Sequence, residues 1–329
     1  MIRFGVIGAG RIGKVHSATI ASNPKAKLVY IADAMPKAAE ELAAKHGASV
    51  ASVDDIMKAK DVDAILIGSP TGFHAEQIQA ASNAGKHIMC EKPVSLNVKM
   101  IEETLKVVEK NKSTLMIGFN RRFDPNFAEL EAIIRRGDIG DVEMVTVISR
   151  DPSPPPAEYV KGSGGIFRDM MIHDFDMARF LMGEEFVVVN ALGSALVDKA
   201  IGEAGDADTA AVQMQTKSGR IAVITNSRRA TYGYDQRMEV HGSKGMVHAK
   251  NVHNTTVEVL SKWGYKQDPI QNFFLERYSA AYASELNAFI TACETGNRNP
   301  QPSGFDGLQA QILADAATVS WQTGKPVKV

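Results

Sequence analysis

The chain has 329 residues, 44% of them hydrophobic, and its 37 Lys and Arg nearly cancel its 38 Asp and Glu. That length supplies material for two domain-sized cores, and the balanced charge gives no electrostatic argument for nucleic acid or an anionic membrane as partner. Two cysteines, Cys90 and Cys293, write no disulfide framework, no apolar run approaches the ~20 residues of a membrane span, and the N-terminus has neither the basic region nor the cleavage site of a signal peptide, so a cytoplasmic protein is expected.

The first third alternates between strand and helix. IRFGVIG is an apolar run ending in glycine, followed by helical KVHSATIAS. LVYIAD precedes helical KAAEELAAKHG, and VDAILIG precedes FHAEQIQAASNAG. HIMCEKP, the helix MIEETLKVVEKN and TLMIGFNRR complete the series. Strands alternating with helices of this length predict βαβ units and a parallel, doubly wound sheet. After Arg121 the texture changes. NFAELEAIIRRGD is one more helix, and then strands dominate: VEMVTVISR, EFVVVNALGSALV, TAAVQMQTKSGRIAVITNSRR, QRMEVHGSKGMVHAKN and TTVEVLS. KSGR and GSKG read as tight turns between antiparallel neighbours, and DPSPPP as a surface loop at a strand end. AYASELNAFITACETG and DGLQAQILADAATVSWQTG close the chain as helices. The expected fold is α/β, with a Rossmann domain over 1–121 and an α/β domain over 122–329. The second domain would carry a large, mostly antiparallel open sheet, with scope for the last helix to pack back on the first domain.

GAGRIG sets Gly8, Gly10 and Gly13 in GxGxxG spacing, with Ala9, Arg11 and Ile12 between them. The motif follows an apolar strand and opens a helix, the context it requires. Its glycines allow a tight turn and close approach to a pyrophosphate, and the helix offers unpaired N–H groups to that anion. Asp33 ends the second strand, twenty residues after Gly13, where an acid accepts hydrogen bonds from the adenosine ribose. A carboxylate there would repel a 2′-phosphate, which favours NAD over NADP, although Lys37 nearby softens that exclusion.

An open parallel sheet binds ligands beyond the carboxyl ends of its strands. At those ends stand Ser69, Thr71 and His74, then Glu91, Lys92 and Pro93, then Asn120 and Arg121. Lys92, held between Glu91 and a proline, is a candidate for chemistry, and the Lys92–Pro93 bond for the cis form. His74 on its own reads as structural, near a helix start, and Cys90 as a small buried hydrophobe. The second half of GGIFRDMMIHDFDMARFL, residues 164–181, reads as a helix, and Asp169, His173, Asp176 and Phe180 recur at helical spacing and share one face. A histidine suits proton transfer near neutral pH, and an acid one turn away can orient the ring. A lone pair of this kind is also compatible with a purely structural role.

GAGRIG, the terminal Asp33, CEKP, GFNRRFD and GGIFRDMMIHDFDMARFL together resemble the Gfo/Idh/MocA oxidoreductases, and within them the bacterial inositol 2-dehydrogenases. SRDPSPPP and RRATYGYDQRMEVHGSKG carry the likeness through most of the second domain. The resemblance implies a catalytic set of Lys92, Asp169 and His173. It implies cofactor contacts from residues 8–13, Asp33, Ser69, Thr71, His74, Glu91 and Lys92. It adds substrate contacts from Arg121 and a tyrosine of YGYD, assigned to Tyr234, although Tyr232 lies two residues away. Asp151, with Lys92, Asp169 and His173, belongs to the same expected substrate set. Met171 departs from the family, where many members carry threonine, and the three catalytic positions are intact. The implied activity is NAD-dependent oxidation of myo-inositol to 2-keto-myo-inositol, with no metal, in a homotetramer assembled through the open sheet of the second domain. Two alternatives remain from the residues: a dehydrogenase of scyllo-inositol, another isomer or a pyranose, and a non-catalytic NAD-binding regulator.

Overall fold

In the computed structural model, which describes residues 1–329 apart from the side chains of 157 and 161, the chain divides into two units. One joins Met1–Phe123 to Ala281–Gln311, and the other joins Asp124–Ala280 to Ile312–Val329.

The first unit is built on strands β1 (Ile2–Ile7), β2 (Ala26–Ala32), β3 (Ser49–Val50), β4 (Ala64–Ile67), β5 (His87–Glu91) and β6 (Leu115–Gly118), in the order β3-β2-β1-β4-β5-β6. Every pairing is parallel. Helices α1 (Arg11–Ser22), α2 (Pro36–His46), α3 (Val53–Lys58), α4 (His74–Asn83) and α5 (Val98–Asn111) make the connections. Local chemistry starts them: the Ser52 and Asn97 side chains accept the N–H groups of Asp55 and Met100 and cap α3 and α5. β4 and β6 are buried at every position, as parallel strands covered on both faces must be. The core joins Phe4, Ile31, Leu66, Met89 and Met116 to Leu286 and Phe289. The strand order reverses at β1, so the carboxyl ends of β1 and β4 form the crevice of a doubly wound sheet.

The second unit begins with α6 (Pro125–Arg136), capped by the Asp124 carboxylate. It then runs through β7 (Val142–Arg150), α7 (Ala157–Ser163), α8 (Gly165–Asp169), α9 (Ile172–Met182), β8 (Phe186–Ser194), α10 (Lys199–Glu203), β9 (Thr209–Thr216), β10 (Ile221–Ser227), β11 (Asp235–Gly242) and β12 (Gly245–Ala249). A hairpin of β13 (Glu258–Ser261) and β14 (Gly264–Gln267) follows, then α11 (Phe274–Arg277), α12 (Ser279–Thr295), α13 (Gly304–Thr323) and β15 (Val327–Lys328). α12 lies almost wholly in the first unit, and α13 contributes residues to both. The sheet order is β12-β11-β7-β10-β9-β8-β15. β7 and β10 are parallel and the other pairings antiparallel, so the sheet is mixed and mostly antiparallel. KSGR joins β9 to β10 and GSKG joins β11 to β12, as tight turns between antiparallel neighbours.

Two expectations need correction. The helix expected to carry Asp169, His173, Asp176 and Phe180 on one face is interrupted between Asp169 and His173. The N–H groups of both Met170 and Met171 bond the Ile166 carbonyl, at 3.1 and 2.9 Å, which closes α8, and α9 starts afresh from Met171. Both methionine side chains are buried, so packing holds the break in place. TTVEVLS does not join the main sheet either. Only Glu258–Ser261 is a strand, and all four of its residues are exposed, so it has no apolar face to bury and pairs with β14 alone.

Candidate active site

In the first unit the glycine loop is shaped by two close approaches. A Cβ on Gly8, whose φ is +107°, would stand 2.4 Å from the Gly68 carbonyl oxygen, and one on Gly13 would stand 1.9 Å from that of Gly8. Gly10 is different: nothing lies within 4 Å of its would-be Cβ, and it is exposed. No side chain caps α1 and no acid sits in its first turn, so the helix presents its N–H groups uncovered by its own residues. That is the cradle a pyrophosphate requires. Asp33 closes it. One carboxylate oxygen accepts the Ala9 N–H at 2.6 Å and the other the Met35 N–H at 2.7 Å, and each keeps a lone pair for a ribose hydroxyl.

The neighbouring strand ends bring the other candidates. Ser69 and Thr71 are half-buried, and the Ser69 hydroxyl donates to Gln77 at 2.6 Å. His74 is buried, with one ring nitrogen 2.8 Å from the Pro93 carbonyl and the other 2.7 Å from that of Ser69. It ties the loop after β4 to the loop after β5. Lys92 is half-buried, and the Lys92–Pro93 bond is cis, as is Gln301–Pro302. Glu91 is bonded at 2.6 Å by the ring of His16, a buried residue on α1 that sequence reasoning missed. Its only signal was a histidine one turn beyond the last glycine of the motif. Cys90 is fully buried, and burial pushes its thiol well up, which suits a small hydrophobe and not a nucleophile. Asn120, Arg121 and Arg122 form a buried turn after β6, where Arg122 meets Asp306 at 2.9 Å.

In the second unit the sheet topology gathers residues that are far apart in sequence. β10 runs parallel to β7, with Ser227 opposite Arg150, and β11 runs antiparallel to β7, with Asp235 opposite Arg150. Asp151, Arg228 and Tyr234 therefore lie at one end of three adjacent strands. Asp169 reaches the same end: the Arg228 guanidinium donates to one of its oxygens at 3.3 Å and the Tyr159 hydroxyl to the other at 3.1 Å. Asp169 and His173 are half-buried, whereas Asp174 and Asp176 are fully buried, and Asp174 accepts from Asn226 at 2.8 Å. The two tyrosines of YGYD differ. Tyr234 is buried, with its ring edge-on to Tyr278 at 5.9 Å. Tyr232 is half exposed and donates to the buried Asp235 at 2.6 Å, while Arg150 bonds its hydroxyl at 2.9 Å. Burial works against the Asp235 charge, but bonds from Arg237, Tyr232 and Asn251 outweigh it and hold the carboxyl below its usual range.

Comparison with known proteins decides the family. Residues 2–119 match the model of an oxidoreductase family with an NAD-binding Rossmann fold, and residues 127–248 match the Gfo/Idh/MocA C-terminal domain. The chain belongs to the Gfo/Idh/MocA oxidoreductases. Among its relatives is an inositol 2-dehydrogenase of Rhizobium meliloti, 54% identical over 97% of this chain and 96% of that protein. A myo-inositol dehydrogenase from Corynebacterium glutamicum superimposes with a TM-score of 0.95 at 44% identity, covering 100% of this chain and 99% of that one. A scyllo-inositol dehydrogenase from Lactobacillus casei, solved with NAD(H) and scyllo-inositol bound, superimposes with a TM-score of 0.93 at 33% identity, covering 100% and 99%. As in other members of this family, the cofactor is NAD, and the glycine cradle with Asp33 is the part of this chain that fits it. Among the described residues, no helix is long and apolar enough to cross a membrane.

Proposed function

We propose that this protein is an NAD-dependent inositol 2-dehydrogenase, oxidising the axial hydroxyl of myo-inositol to 2-keto-myo-inositol in inositol catabolism. The observation that carries the reading is the 54% identity over 97% of the chain with an inositol 2-dehydrogenase. The EKP lysine and the D-x-x-x-H pair are present in this chain as Lys92, Asp169 and His173. In this reading NAD, when bound, accepts the hydride. Lys92 polarises the reacting hydroxyl and stabilises its alkoxide character. His173 moves the hydroxyl proton, with Asp169 as its partner. Arg121, Asp151 and Tyr234 hold the remaining ring hydroxyls, and Asp151 and Tyr234, with Asp169 and His173, make the second unit the substrate domain. Residues 8–13 and Asp33, with Ser69, Thr71, His74 and Glu91, bind or frame the cofactor. The protein works in the cytoplasm as a homotetramer assembled through the exposed face of the seven-stranded sheet.

The test is NADH absorbance with purified protein against myo-inositol, scyllo-inositol, other inositols and pyranose sugars, with NAD and with NADP. Highest kcat/KM on myo-inositol with NAD supports the reading. A preference for scyllo-inositol, which the Lactobacillus casei relative binds, moves the protein to that substrate. Equal use of NADP overturns the role of Asp33, and no turnover on any polyol leaves an NAD-binding regulator.

A further inference from the structure

Arg228 follows β10, and its backbone N–H bonds the Asp208 carbonyl at 2.8 Å, which fixes the start of its side chain against the loop before β9. The side chain is 3% exposed. A guanidinium cannot shed its charge, and a buried one is tolerated only beside anions. Two anions face it. Asp169 accepts from it at 3.3 Å, and Asp206 feels its charge as well. Asp206 is buried, which raises its carboxyl, and the N–H of Ile166 bonds one of its oxygens at 3.0 Å. It reaches that place because Gly165 has no side chain: a Cβ there would stand 2.6 Å from the same oxygen. One buried cation thus serves two carboxyls at the point where α8 ends in Asp169. Tyr159, from α7, donates to the other oxygen of Asp169.

We propose that Arg228 is a positioning residue, whose buried guanidinium holds the Asp169 carboxylate in one orientation for the reaction. This rests on the role given to Asp169 in the proposed function. Without the guanidinium, Asp169 loses a charged hydrogen bond, and the repulsion it shares with Asp206 is no longer offset by that cation. Residues that act through one another give non-additive losses, whereas a residue that merely supports the fold multiplies the loss of any other.

The experiment is a double-mutant cycle on the full chain with Asp169→Asn, Arg228→Met and the pair together, reading kcat and, on the same samples, NADH affinity. Asp169→Asn is expected to lower kcat about 10²-fold. Arg228→Met is expected to lower it roughly tenfold or more, and the double variant to be no slower than Asp169→Asn alone. Arg228→Lys restores a cation and recovers part of the loss, and NADH affinity stays near wild type throughout. Should the methionine variant not fold, Arg228→Lys runs the same cycle, and its smaller loss vanishes in the Asp169→Asn background. Near-normal turnover of Arg228→Met, losses that multiply in the double variant, or a lysine no better than methionine each overturn the proposal while leaving the reading of Asp169 intact. Normal turnover of Asp169→Asn overturns both.

Discussion

The six-stranded sheet of the first unit is apolar on both faces, and the seven-stranded sheet of the second is apolar on one. β4 and β6 are buried at every residue, while β9 alternates buried and exposed along its length. A sheet covered on both sides can show chemistry only where its strands stop, and Ser69, Lys92 and Arg121 all stand at such ends. The second unit carries buried charges beside partners, as Asp124 is bonded by Arg277 and Asp174 by Asn226. Two buried carboxyls show the difference. Asp235, in the second unit, is fully buried yet depressed, because Arg237, Tyr232 and Asn251 bond it. Glu285, in the first, is also fully buried, but neither oxygen meets a hydrogen-bond partner, and burial, with the charge of Glu91, pushes it well up. The lesson is that burial alone does not set the state of an acid; the bonds that accompany it do.

The sharpest way to break the comparison is to remove one proposed reacting group from each unit. Lys92→Ala and His173→Ala should each lower kcat by ~10² or more while NADH affinity, read by fluorescence titration, changes little. Near-normal turnover in either variant removes that residue from the chemistry.

The next effect separates glycines that shape the loop from the one that leaves it open. Gly13→Ala forces a Cβ onto the Gly8 carbonyl and should cost about 1–3 kcal/mol in urea unfolding, with loss of NAD binding. Gly10→Ala meets no atom of the protein, so its stability should stay within about 0.5 kcal/mol of wild type while NAD affinity falls. Equal destabilisation by both would show that the cradle is not built this way.

The two carboxyls give smaller and opposite pH effects. Asp235 is depressed in the folded state, so its contribution is present above the ordinary carboxyl range and is lost as pH falls through its folded value. Asp235→Asn should therefore lower stability by about 1–3 kcal/mol at neutral pH, and the gap should close in acid. Glu285 is raised, so the unfolded chain ionises first, and wild-type stability declines as pH climbs from the ordinary carboxyl range towards the folded value. Glu285→Met should remove that decline and gain about 1 kcal/mol at pH 8, with little change in acid. Thermal melts across pH read both, and curves of the same sign would erase the contrast between the units.

Local pattern was enough for β1, β2, β4, β5 and β6 of the parallel sheet, because each is a largely apolar run followed by a helical segment. It was enough for the glycine cradle and Asp33, since a turn motif and a strand end are written in adjacent residues. Short elements with no period of their own, such as β3, α3, α10 and β15, left no readable trace. The break between Asp169 and His173 was also hidden, because Met170 and Met171 are helix formers and only the doubly bonded Ile166 carbonyl ends α8. The tertiary structure alone decided which charges meet. Arg228 lies 59 positions from Asp169 and His16 lies 75 from Glu91, and no spacing rule reaches that far. The packing of α9 against β7 and β10, next to the end of α8, sets Asp169 near Arg228, and the bond from α1 to the end of β5 joins His16 to Glu91. Hydrophobic periodicity specifies which face of an element is buried, but the partner a buried charge finds depends on strand order, which is set by the whole chain.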